Sequence, residues 1–115
     1  MNAGFEAEVT QLHAEVCAGL ADPNRILILY ELAQSPRNVT ELSTNLKMPQ
    51  PLVSRHLKVL RERGMVIPHR KGTVIQYSLA DERLIQALDL LRAVMRDGLT
   101  KRAELVEALA SSRNN

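Results

Sequence analysis

The sequence predicts a mainly α-helical fold with five helices and one small β-hairpin between the fourth and the fifth. Three observations carry this reading. Apolar residues recur at helical spacing in every segment from Asn2 to Arg63. Between Met65 and Leu79 the pattern changes to two short β-branched runs around Lys71-Gly72, as in a hairpin. Helical spacing then returns after Asp81. At 115 residues the chain has the length of one domain, expected over residues 1–110, with 111–115 as a frayed, disordered tail.

The first helix is expected from Asn2 to Ala18, with Phe5, Val9, Leu12, Val16 and Leu20 in one apolar stripe. Asp22 is a good N-cap for the second helix, Pro23–Gln34, and Pro23 suits the first helical position because no amide is needed there. That helix is apolar nearly all round (Ile26, Leu27, Ile28, Leu29, Leu32), so it should form the buried centre. The third helix is short, Val39–Leu46, and a tight Lys47-Met48-Pro49 connection leads to the fourth, Gln50–Arg63, which Gly64 ends. Pro68 predicts an irregular or free-edged first strand in the hairpin. Asp81 is expected to cap the fifth helix, Asp81–Arg96, and Gly98 to break the chain before a last amphipathic segment, Thr100–Ala110. Leu84, Leu88, Leu91 and Met95 form one stripe of the fifth helix, with Ala87, Leu90 and Val94 beside it. So wide an arc suggests one flank for the chain's own domain and one for a partner subunit.

Composition excludes several classes. No apolar run is long enough to span a membrane, and the acidic N-terminus lacks a signal-peptide pattern, so a cytoplasmic protein is expected. A single cysteine, Cys17, excludes an internal disulfide framework. There is no Gly-rich phosphate loop, no serine or cysteine elbow and no paired histidines, so neither an enzyme nor a cofactor is expected. With no tryptophan, and only Phe5, Tyr30 and Tyr77 as aromatics, aliphatic helices must do most of the packing.

Net charge is only +2, but it is unevenly spread. Residues 37–71 hold eight of the 15 lysines and arginines and two of the 13 acids. Residues 1–36 hold one base against five acids. A basic middle third is the footprint of a polyanion-binding surface. It coincides with a helix-turn-helix spacing in the third and fourth helices and with a hairpin that supplies a wing, so the fold is a winged helix-turn-helix. On the fourth helix Val53, Leu57 and Leu60 face inward, which sends Ser54, Arg55, Lys58 and Arg61 outward together. Gln50, Ser54 and Arg55 can read base edges in a major groove. Lys47, Lys58 and Arg61 suit phosphates, which position without specifying. His56 borders the apolar face and is counted with the DNA contacts. Arg70 and Lys71 at the wing tip can reach an adjacent backbone or minor groove. The rival reading is a winged helix that binds protein, which would have no need of a basic recognition face.

The stretch LADPNRILILYEL…NVTELSTNLKMPQPLVSRHLKVLRERGMV…RKGTVIQYSL, from Leu20 to Leu79, resembles the ArsR/SmtB family of winged-helix repressors. The resemblance implies a homodimer joined through the first and last helices, with Phe5, Val9, Leu12, Val16, Leu84, Leu88, Leu91 and Met95 at the seam. It also implies binding to a pseudo-palindromic double-stranded operator, and release when a small inducer binds.

The sensor motifs of the family are missing. Where arsenic-type members resemble E-L-C-V-C-D-L, this chain has Ser43 and Asn45 in place of the cysteines. The zinc-type positions on the last helix correspond to Asp81, Arg83, Val94 and Asp97, which keep both acids and lack both imidazoles. The persulfide-type cysteines would fall at Tyr30 and near Arg96. No metal site is expected. The one alternative is His13 with Cys17, four residues apart on one helix, doubled across a dimer axis; a small buried thiol beside a polar histidine is the simpler reading.

Overall fold

The computed structural model describes residues 2–113. The chain divides into two compact units, Met1–Glu82 and Arg83–Asn115.

The first unit opens with α1, a continuous helical segment made of Ala3–Gln11, a π-helical run Leu12–Cys17, and Ala18–Leu20. Asn2 caps it, its side chain accepting from the Phe5 amide at 2.7 Å. In the π run the Ala18 amide donates to the His13 carbonyl, one residue beyond the α-helical partner. Hydrophobic spacing carries no sign of this widened turn. Asp22 caps α2 (Pro23–Gln34) by accepting from the Asn24 amide at 2.9 Å. Ile28, Leu29 and Leu32 are buried as expected, whereas Leu27 is 48% exposed, so α2 is central on one face only.

A two-residue strand, β1 (Arg37–Asn38), precedes α3 (Val39–Leu46) and was not expected. Asn38 serves both elements. It pairs with Gln76 across the sheet, and its side chain accepts from the Glu41 amide at 2.8 Å while its own amide donates to the Glu41 carboxylate at 3.0 Å. This reciprocal capping box fixes where α3 starts. Helix α4 (Gln50–Glu62) ends in a Schellman motif. Gly64 at φ +72 donates to the Arg61 carbonyl at 3.0 Å, and Met65 donates to that of Leu60 at 2.9 Å. The wing strands β2 (Val66–Lys71) and β3 (Val74–Leu79) pair antiparallel, with Lys71 opposite Val74 across a two-residue Gly72-Thr73 loop. Gly72 has φ +64, the glycine-first pattern of a type II′ hairpin turn. The sheet order is β1-β3-β2, so Pro68 lies on an edge strand, where its missing amide interrupts least.

The core of this unit is aliphatic. Ile28, Leu29, Leu42, Val53, Leu57, Leu60 and Met65 are essentially inaccessible. Gly19 at the end of α1 is also buried, and a β-carbon there would overlap Met65 and the Arg63 stem. Helix α1 contributes no buried large side chain, and Phe5, Val9 and Leu12 stay about half exposed.

The second unit is one helix, α5 (Arg83–Arg113). It starts at Arg83 rather than Asp81 and passes through Gly98 without a break. A single glycine costs only about 1 kcal/mol in a helix, and good helix formers flank this one on both sides. The helix also includes Ser111–Arg113, which the sequence reading assigned to the tail; residues 114 and 115 lie outside the described residues. No helix among the described residues is long and apolar enough to cross a membrane.

Gly64→Ala forces a β-carbon into the left-handed region at the α4 C-terminus. It is expected to cost about 1 kcal/mol, read as a fall of several degrees in Tm by calorimetry, with DNA binding retained below the transition.

Candidate nucleic-acid interface

Helix α4 carries two incompatible faces on 13 residues. Val53, Leu57 and Leu60 are at most 1% exposed, whereas Ser54, Arg55, Lys58 and Arg61 are all exposed. At 3.6 residues per turn the two sets fall on opposite sides, so burial of one face dictates presentation of the other.

The connection before α4 is unusually tight. Lys47 takes a left-handed conformation at φ 55, the one positive φ among the described non-glycine residues. Both its amide and that of Met48 donate to the Ser43 carbonyl, and the Ser43 hydroxyl donates to the Met48 carbonyl. Ser43 therefore closes the helix-turn-helix, and Asn45, the other residue at a metalloid-type position, donates to Glu31 at 2.8 Å. Both side chains are engaged in holding the fold. The turn leaves the Lys47 side chain exposed, and Gln50 beside it donates weakly, at 3.5 Å, to the Thr40 hydroxyl.

Of the eight bases between residues 37 and 71, two are spent internally. Arg37 pairs with Glu31 at 3.7 Å and Glu41 at 4.0 Å. Arg63 donates to the Glu15 carbonyl at 3.1 Å and to that of Ala14, both within the π run of α1. The other six, Lys47, Arg55, Lys58, Arg61, Arg70 and Lys71, are exposed and make no ion pair among the described residues. Arg70 and Lys71 stand at the end of β2, beside the wing tip.

His56 is a correction. It is only 6% exposed and lies on the buried side of α4 with Leu57 and Leu60. Its Nδ1 sits 3.5 Å from the Arg25 guanidinium, which can only donate, so Nδ1 accepts; Nε2 is buried with no partner among the described residues. Arg25 also donates to the Gly19 carbonyl at 2.7 Å and to that of Ala18 at 3.4 Å. The arginine of ADPNR thus joins the end of α1 to the recognition helix. Sequence spacing put His56 at the border of the apolar face, and only packing decided its side.

Cys17 is exposed rather than buried, as is His13, and both lie in the π run. Among the described residues no three histidine, cysteine or acidic side chains gather as a metal site would require. Of the residues expected at a dimer seam, Phe5, Val9, Leu12, Leu91 and Met95 are exposed, Val16 and Leu84 are half-buried, and Leu88 is buried.

One feature has no signal in the local sequence. Between α3, α4 and the wing lies a cleft of about 440 Å³, lined by Thr40, Ser54, Thr73, Val74, Ile75 and Tyr77 among others. Its hydroxyl residues are scattered through the sequence, so no local motif announces them.

Comparison with known proteins agrees with this geometry. The family model described as bacterial regulatory protein, arsR family, matches residues 22–67. The repressor SmtB of Mycobacterium tuberculosis is 44% identical over 77 residues, which are 67% of this chain and 57% of that protein; the chain thus spans little more than half of that relative's length. The regulator NmtR of the same species is 38% identical over 88 residues, 76% of this chain and 73% of its own. A homodimeric winged helix-turn-helix DNA-binding domain from Mycobacterium bovis superposes with a TM-score of 0.73 at 30% identity, covering 86% of this chain and 91% of that one. NolR from Sinorhizobium fredii gives 0.71 at 26%, covering 82% and 93%. A helix-turn-helix closed by Ser43, a wing of β2 and β3 and these relatives lead to one conclusion: the chain belongs to the arsR family of bacterial transcriptional regulators.

Proposed function

We propose that this protein is a homodimeric, sequence-specific DNA-binding repressor that reads a pseudo-palindromic operator. The carrying observation is the set of six exposed cations, without ion pairs among the described residues, spread over the turn, the outer face of α4 and the wing. Gln50 and Arg55 are the base readers, since each can form paired hydrogen bonds to a purine edge. Lys47, Lys58 and Arg61 take phosphates on either side, and Arg70 and Lys71 reach the flanking backbone or minor groove.

The dimer rests on apolar surface the chain leaves open. Phe5, Val9 and Leu12 on α1, and Leu91 and Met95 on α5, are 45–62% exposed, more than isolated surface residues require. The M. bovis relative is homodimeric, which supports the same assembly here. A twofold dimer sets two α4 helices about one DNA turn apart or a multiple of it. Release works through the dimer geometry: an inducer must bind better to an arrangement that misplaces the two helices. Such a ligand would not use the metalloid, zinc or persulfide positions of the family, where Ser43 and Asn45, Arg83 and Val94, and Tyr30 stand instead.

The test is fluorescence anisotropy with DNA from upstream of the protein's own gene against scrambled DNA at several salt concentrations. Preference for the native DNA at dimer stoichiometry is expected. Weak, equal binding that vanishes with salt would favour a protein-binding winged helix. Arg55→Ala should reduce discrimination by about 1–3 kcal/mol while sparing random-DNA affinity; equal losses on both DNAs would remove its role as a reader. Lys71→Ala should weaken binding to all sequences and lower the slope of log K against log salt by about 1 per wing engaged. An unchanged slope would take the wing out of the interface.

A further inference from the structure

The cleft between α3, α4 and the wing has no charged side chain in its lining. Four hydroxyl groups, from Thr40 on α3, Ser54 on α4, Thr73 in the wing loop and Tyr77 on β3, line it together with the aliphatic Val74 and Ile75. Thr40, Ser54, Thr73, Val74 and Ile75 are exposed, and Tyr77 is half-buried. The Thr40 oxygen already accepts from Gln50, which leaves its proton free to donate elsewhere.

A free anionic metabolite would gain little in such a cleft, because no cation meets its charge. A duplex strand differs. Its neighbouring phosphates would be met outside the cleft by Lys58, one helical turn after Ser54, and by Lys71, two residues before Thr73. We propose that the cleft takes one sugar–phosphate unit of the operator strand, its phosphate accepting from the hydroxyls and its deoxyribose resting on Val74 and Ile75. This inference rests on the DNA-binding reading above and adds a second kind of backbone contact to it. Lys47, Lys58, Arg61, Arg70 and Lys71 hold the strand by charge, and the cleft holds it by uncharged hydrogen bonds that fix how deeply it sits.

The two kinds respond differently to salt. Binding weakens with salt in proportion to the phosphates neutralised by cations, so uncharged donors add affinity without adding slope. Thr40→Val with Thr73→Val removes two donors and keeps β-branched shape. Anisotropy is expected to show about a tenfold loss or more, equal on operator and scrambled DNA, with the salt slope of the wild type. Tyr77→Phe should lower affinity in the same slope-neutral way, and thermal melts of each variant identify any loss that comes from unfolding. Wild-type affinity in folded variants, or a reduced slope, would overturn the proposal. Saturable amide shifts of Thr40 and Thr73 with inorganic phosphate alone would overturn it in favour of a free-anion site. Failure of the wild type itself to prefer its operator would overturn the DNA reading and this inference with it, an outcome visible before any variant is made.

Discussion

The recognition helix can turn four polar and basic side chains to solvent only because its other face is fixed. Val53, Leu57 and Leu60 are sealed, and His56 between them meets the Arg25 guanidinium. The same guanidinium donates to the carbonyls of Gly19 and Ala18 at the end of α1, and the Ala18 carbonyl also accepts from the Ala21 amide at 3.3 Å. One side chain thus ties the end of α1, the start of α2 and the middle of α4 into one joint. Removing it would take a donor from the Gly19 carbonyl and from a buried imidazole nitrogen together, and buried polar groups are costly to leave unpaired. The Schellman turn at Gly64 and the Arg63 bonds to the π run of α1 hold the far end of α4 in the same way.

With α4 held at both ends, the division of the cations follows. Arg37 and Arg63 have partners on neighbouring elements, and the six cations of the candidate interface have none among the described residues. Acids are scarce where those six stand, with Glu62 the one acid on α4, so little competes with a polyanion for them. The residues at the family's metalloid positions follow the same economy. Ser43 closes the turn and Asn45 holds Glu31, so both side chains serve the shape of the helix-turn-helix.

The apolar residues left open on α1 and α5 are the other half of the proposed mechanism. A repressor must hold two reading helices at one spacing and yet be able to lose that spacing. In the proposed dimer the seam sets the spacing, while the Arg25 joint keeps each reading head rigid. A modest change at the seam would then move whole α4 helices rather than soften them, which is how packed elements transmit small shifts.

Local sequence determined much of this protein. Helix periodicity, the Asp22-Pro23 start and the Gly64 stop are contests between near neighbours, so α2 to α4 fall where spacing placed them, and the wing turn lies one residue beyond the expected Lys71-Gly72. The outward set on α4 was legible for the same reason, because 3.6 residues per turn leaves no other arrangement once Val53, Leu57 and Leu60 go inside. Tertiary structure decided whatever depended on a partner distant in sequence. His56 turned inward because Arg25, 31 residues away, stands there. Strand β1 exists because Tyr77 and Gln76 offer it a ladder. The π run of α1 gives Arg63 its carbonyl partners from 48 residues away, and the hydroxyl cleft assembles from three segments with no common motif. Helix α5 passed through Gly98 because one glycine is too weak to stop a helix that its flanks favour. Side-chain periodicity reports which face a residue occupies; what it meets there is settled by packing between segments, a free-energy balance that no local window contains.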